Sequence, residues 1–127
     1  ADNFDLFLRL METPKYRGRL FGDVSAMTQF NRLSRPLATM LERGDLHGRL
    51  VNGSDYPLPA INVIIRTRDL ERAGFITAKE RALLNELYEF NPLLFDFVVK
   101  RTVRAPGHGG KFPAGVFMAH PELDPGR

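Results

Sequence analysis

The sequence predicts an α/β fold in which two parallel strands are joined through a helix and closed by further helices. Three observations predict it. Apolar runs from Arg19 to Ala26 and from Arg49 to Asn52 read as strands, the second ending in Gly53-Ser54-Asp55. Between them Leu33, Leu37, Met40 and Leu41 share one face of a helix. Strand, helix and strand within about two dozen residues fit a right-handed crossover between parallel neighbours. Beyond them, Thr77-Ala78-Lys79-Glu80 has the form of a capping box that opens a closing helix.

The elements follow in order. From Asn3 to Met11, Phe4, Phe7, Leu8 and Met11 recur at helical spacing, with Asp2 or Asn3 as cap and Pro14 as the stop. In the first strand Leu20, Phe21 and Val24 are apolar, and Gly22 is suited to close packing. Asp23 and Ser25 would share one side of it, because strand side chains alternate. The helix Asn31 to Glu42 contains Pro36, which is tolerated only in a first turn, so the start shifts toward Ser34. Gly44 is placed to end it in the left-handed conformation. Ile61 to Leu70 carries both a helical spacing and a β-branched density, and helix is the preferred reading. The helix opened by Thr77 presents Leu83, Leu84, Leu87 and Tyr88. Asn91-Pro92 restarts a helix with Asn91 as cap and Leu94, Phe95, Val98 and Val99 as its apolar face. Residues 1–104 form the folded units, and 105–127 a Gly- and Pro-rich tail anchored around Val116-Phe117-Met118.

Composition bounds the function. With 127 residues the chain has room for one real core. Hydrophobic content of 43% and charged content of 26% match globular domains and exclude a disordered chain. No apolar run approaches membrane-spanning length and no secretory leader opens the chain, so no membrane partner is expected and a cytoplasmic location is. Cysteine is absent, which removes disulfides and thiolate metal sites. The net charge of +3 comes from basic residues interleaved with acids along the whole chain. A nucleic-acid footprint would cluster on one face, so no nucleic-acid partner is expected. The rival basic groups, Arg66, Arg68 and Arg72 or Lys100, Arg101 and Arg104, have no interleaved stacking platform. Ala1 followed at once by an amphipathic pattern reads as the start of a segment inside a larger protein.

The chemistry concentrates at Arg49 to Pro57. An apolar run, small residues, one carboxylate and a proline place Asp55 at the C-terminal tip of a buried strand. In parallel α/β folds that edge is where ligands bind. A carboxylate there ligates a metal or takes a proton from water; the rival role is a loop or helix cap. Asp23 lines the mouth of the same edge with Ser25, or else pairs with an arginine such as Arg19 or Arg49. His47, His108 and His120 show no metal-binding spacing.

Gly53-Ser54-Asp55-Tyr56-Pro57 resembles the strand-8 signature of the amidohydrolase superfamily, metal-dependent hydrolases built on a (β/α)₈ barrel. Leu20 to Ala26 resembles the seventh strand of that branch, and Thr77 to Asn91 its last helix. The resemblance covers residues 4–100 and implies the C-terminal portion of a TIM-type barrel, with about strands 7 and 8 and their flanking helices. A whole barrel needs about 250 residues, so the remaining units and most ligands would lie upstream. It implies that Asp55 is metal ligand and proton shuttle. Asp23, Ser25, Ser54 and Tyr56 would then face a small-molecule substrate, and a divalent metal, zinc first, would be the cofactor. The expected reaction is water attack on a C–N or C–O bond, and the chain alone lacks a complete site. The same branch includes decarboxylases. From another class comes a non-catalytic module that completes its exposed edges with a second copy or with the remaining half of the barrel.

Overall fold

The structure, a computed structural model, describes residues 2–33, 35–53, 64–118, 120 and 123. Helix α1 (Asn3–Glu12) starts where the Asp2 carboxylate accepts the Asp5 N–H at 2.8 Å, and it buries Phe4 and Met11. Pro14 does not simply stop it. It starts a 3-10 turn, Pro14–Tyr16, and Gly18 then reverses the chain at a φ of 75°.

Strand β1 is short, Gly22–Asp23, where the sequence predicts a run from Arg19 to Ala26. A turn occupies residues 17–19 and another 25–28, and so the ladder shrinks to its middle. A side chain at Gly22 would meet the Phe7 ring at 2.8 Å and Leu50 Cδ2 at 3.0 Å, so α1 lies directly on this strand. Strand β2 is Leu50–Val51, entered through a 3-10 turn, His47–Arg49. The two strands pair in parallel, Gly22 opposite Leu50 and Asp23 opposite Val51, and the Val24 N–H continues the ladder to the Val51 carbonyl at 2.9 Å. Two strands of this length do not by themselves show a barrel portion.

Between them, α2 (Pro36–Glu42) begins with Pro36 at its first turn and buries Leu37, Met40 and Leu41. Residues 30–32, expected in this helix, form a separate 3-10 turn. Gly44 is not left-handed; the chain leaves α2 through Arg43, at φ −81° and ψ 69°.

The ambiguous segment resolves late. Residues 61–63 lie outside the described residues, and α3 runs only from Thr67 to Arg72. Gly74, at φ 85°, ends it: its N–H bonds to the Glu71 carbonyl and that of Phe75 to the Leu70 carbonyl, a Schellman closure. Helix α4 (Ala78–Phe90) carries the full capping box, with Glu80 N–H on Thr77 Oγ1 at 3.1 Å and Thr77 N–H on the Glu80 carboxylate at 2.8 Å. Asn91 caps α5 (Pro92–Thr102) through the N–H groups of Leu93 and Leu94.

The buried face of α5 matches the predicted one at Phe95 and Val99 but is rotated toward Asp96 and Lys100. Leu94 is exposed, whereas Phe95, Asp96, Val99 and Lys100 are buried. On α4, Leu83 is likewise exposed while Leu84 is buried. The core runs from Met11 and Leu37 through Leu50, Leu70 and Phe75 to Val99 and Val103. Phe112 and Val116, from the Gly- and Pro-rich stretch, belong to it too. Gly110 allows that return, because a side chain there would strike the Leu41 carbonyl oxygen at 2.7 Å. No helix among the described residues is long and apolar enough to cross a membrane.

Candidate functional site

Parallel pairing puts the C-terminal tips of β1 and β2 on one edge, and a polar cluster is built there. Asp23 stands at the tip of β1. Its Oδ1 accepts the backbone N–H of Ser25 at 2.8 Å and that of Gly53, across the pair, at 3.1 Å. Asn52 and Gly53 stand at the tip of β2. Lys100 Nζ donates to Asn52 Oδ1 at 2.8 Å and to the Gly53 carbonyl at 2.9 Å. One turn earlier on α5, Asp96 Oδ2 accepts from the same ammonium at 2.9 Å.

Lys100 and Asp96 are fully buried. Taking an ammonium and a carboxylate out of water costs several kcal/mol per ion unless good geometry returns it. Here the geometry is good. An ammonium has three N–H donors, and three acceptors lie within 2.9 Å. The sequence analysis missed this pair because it treated Lys100 as a surface cation. The available signal was an Asp and a Lys four apart, each beside a core residue, Phe95 and Val99, on one helical stripe.

The predicted site residues fare unequally. Ser54, Asp55 and Tyr56 lie outside the described residues. Asp23 is where the sequence puts it, on the carboxyl edge, and it is exposed. Its partners are backbone N–H groups rather than Arg19 or Arg49. Ser25 is not on the strand with Asp23; it opens the following turn, half-buried, and meets Asp23 through its backbone. His47 is half-buried, with Nε2 donating to the Met40 carbonyl at 2.7 Å and its ring edge-on to Phe112. His108 is exposed, 3.9 Å from Glu42. His120 reaches the Gly48 carbonyl and packs on Phe21. Among the described residues no group of three or more histidines, aspartates or glutamates could hold a metal ion.

Three of the basic residues weighed for nucleic acid are engaged elsewhere. Lys100 is buried, Arg104 grips Glu80 through both terminal nitrogens, and Arg66 lies over the Phe30 ring. An open cavity of about 360 Å³ lies at the start of α3, walled by Thr67, Asn85, Tyr88 and Phe95. Thr67 Oγ1 donates to Asn85 Oδ1 at 2.7 Å within that wall.

Comparison with known proteins gives no family model, no curated protein and no solved structure that matches this chain.

Proposed function

We propose that this chain supplies one edge of a hydrolytic site, the C-terminal part of a metal-dependent hydrolase of the amidohydrolase type. Asp55 is its proton-handling carboxylate. The observation that supports the reading best is the treatment of Gly53. Its N–H is held by Asp23 and its carbonyl by Lys100, at the edge of a parallel pair where ligands bind in α/β folds. Two residues of chain span at most about 7 Å, so whatever fixes Gly53 also sets the reach of residue 55.

The described residues do not make a metal centre, and the part played by this chain is derived without one. A carboxylate at position 55 accepts a proton as the water oxygen bonds to the carbonyl carbon of a small amide or ester. The C–N or C–O bond then breaks, and the same proton passes to the departing nitrogen or oxygen. Zinc stays the divalent ion proposed for the whole site, with its ligands mainly beyond these residues.

The test uses the native polypeptide that carries this sequence, assayed on a panel of N-acyl and ester substrates alongside metal analysis. Asp55→Asn should lower kcat by about 10²–10⁴-fold, the usual range for a general base. Hydrolysis that survives Asp55→Asn undiminished would refute the role.

A further inference from the structure

We propose that the cavity at the amino-terminal end of β2 is a binding site for a small organic monocarboxylate. It lies at the end of the strand pair opposite Asp23 and Gly53, and its volume of about 660 Å³ is within the range that holds small ligands. Four segments supply its charges: Glu12 from the end of α1, Arg17 from the turn that follows, Arg43 and Asp45 from the exit of α2, and Arg49 just before β2.

Two of the three arginines lack a counter-charge. Arg43 is satisfied, because it donates to Glu12 at 2.7 Å and to Asp45 at 2.8 and 2.9 Å. Among the described residues Arg17 and Arg49 pair with no carboxylate. Arg49 is half-buried. Its Nη2 donates to the Met11 carbonyl, while its Nη1 is closed off from water and has no acceptor. A cation drawn out of water without a counter-charge is costly, and an anion beside it offsets that cost. Arg17 is exposed, and its N–H on the Pro14 carbonyl at 3.2 Å fixes the backbone from which its free guanidinium fork projects. The walls are braced beforehand. Arg43 ties α1 to the turn after α2, and Arg49 ties the start of β2 to α1, so a ligand has little left to order.

Charge selects the ligand. Three guanidinium groups against two carboxylates leave the lining at +1. The carbonyl end of α1 adds a partial negative charge. A monoanion balances such a site, whereas a dianion such as a phosphate monoester meets Glu12 and Asp45 with charge to spare. Guanidinium forks take carboxylates through paired, parallel hydrogen bonds. The aliphatic stems of the arginines offer a short apolar surface to the rest of the molecule.

The test titrates the native polypeptide with sodium benzoate and with phenyl phosphate, read by calorimetry and by the methyl resonances of its methionines. Arg17→Gln and Arg49→Gln are compared with Arg68→Gln, which removes the same charge from an exposed position on α3. Benzoate should bind saturably and shift the methyl of Met11, which lines the cavity, more than those of Met27 and Met118. Arg17→Gln and Arg49→Gln should each weaken it about tenfold, the usual worth of one hydrogen bond to a charged group, while Arg68→Gln leaves it unchanged. Phenyl phosphate should bind more weakly than benzoate. Should Arg49→Gln fail to fold, Arg17→Gln decides alone, because its exposed side chain holds no other described group in place. Absence of saturable benzoate binding overturns the proposal. So do binding that Arg17→Gln leaves intact, an equal loss in Arg68→Gln, a larger shift at Met27 or Met118, and tighter binding of phenyl phosphate.

Discussion

At the carboxyl edge of β1 and β2 the Lys100–Asp96 pair is buried among fixed partners, while on the segment entering β2 similar charges stand in water. Arg43 there donates to Glu12 at 2.7 Å and to Asp45 at 2.8–2.9 Å. Arg49 reaches the Met11 carbonyl at the end of α1. Around them opens a cavity of about 660 Å³ that Arg17 also lines. The distances match those around Lys100, and the medium is what differs. Side-chain exposure is 0% and 2% for Lys100 and Asp96, but 31%, 49% and 59% for Arg43, Glu12 and Asp45. Attraction grows as water is excluded, and so does the cost of an unmatched partner. The buried cluster therefore fixes geometry, and the wet one mainly decorates the surface.

The largest effect should come from breaking the buried pair on one side. Lys100→Ala leaves Asp96 without its ammonium and opens a void beside Phe95 and Val99. Urea unfolding should show a loss of about 3–5 kcal/mol. Lys100→Met with Asp96→Leu should instead lie between neutral and a gain of about 1–4 kcal/mol. If the single variant loses under 1 kcal/mol, the two clusters are alike and the contrast drawn from burial is wrong.

Next in size is a purely steric change next to the same edge. Gly22→Ala drives a methyl group to 2.8 Å from the Phe7 ring and 3.0 Å from Leu50 Cδ2, so these side chains must shift. Overpacking of this kind costs about 1–3 kcal/mol. Gly53→Ala meets only the tip of an exposed carboxylate, and by thermal melting it should cost less than Gly22→Ala.

An intermediate pair sharpens the contrast. Arg104 grips Glu80 at 32% and 26% exposure, with its two terminal nitrogens at 2.9 and 2.6 Å. This hydrogen-bonded guanidinium, helped by the Thr77 N–H and hydroxyl against the effect of burial, holds the Glu80 carboxyl at about 2 instead of 4.5. The folded value lies below the unfolded one. The stabilisation is therefore complete above pH 4.5 and fades as pH falls from 4.5 toward about 2. Glu80→Gln should cost about 1–2 kcal/mol at pH 7, after discounting for partial exposure. The gap between parent and variant should close on acidification through that window; a gap that stays constant down to pH 2.5 would remove the ion pair as its cause.

Local chemistry was legible where the signal is itself local. The Thr77–Glu80 box, the Asn91 cap and Pro36 in a first turn need only their neighbours in sequence, and all three are formed. The parallel pairing of β1 and β2 was legible from their spacing about the helix. Less legible was anything decided by what packs across the chain. Asp96 and Lys100 read as polar positions, so the apolar face of α5 reads as Leu94, Phe95, Val98 and Val99, of which Phe95 and Val99 are buried. The partners of Lys100 beyond its own helix, Asn52 and Gly53, lie 48 and 47 positions away, beyond any periodicity. Gly44 and Gly74 show the same limit. Both follow helices, but the Schellman closure formed only at Gly74, where Phe75 is buried behind it.

The smallest effect is expected at Arg43, and it tests the wet side of the contrast most directly. Hydrogen bonds donated to Asp45 first, then to Glu12, hold the Arg43 guanidinium well above the usual arginine range, and Asp45 is held below the usual carboxylate range by the same contact. Such shifts would signal strong coupling in a dry site. Here two of the three side chains are about half exposed, so water and salt screen most of that attraction. Arg43→Ala should therefore cost below about 1 kcal/mol in dilute buffer. That small loss should vanish by 1 M sodium chloride, where the screening length falls to about 3 Å. Lys100→Ala, measured beside it, should keep its full penalty at both salt concentrations, because salt does not enter the buried site. A salt-sensitive Lys100→Ala penalty would mean that water reaches the ammonium, and the clamp on Gly53 would then be no tighter than the bridges around Arg43.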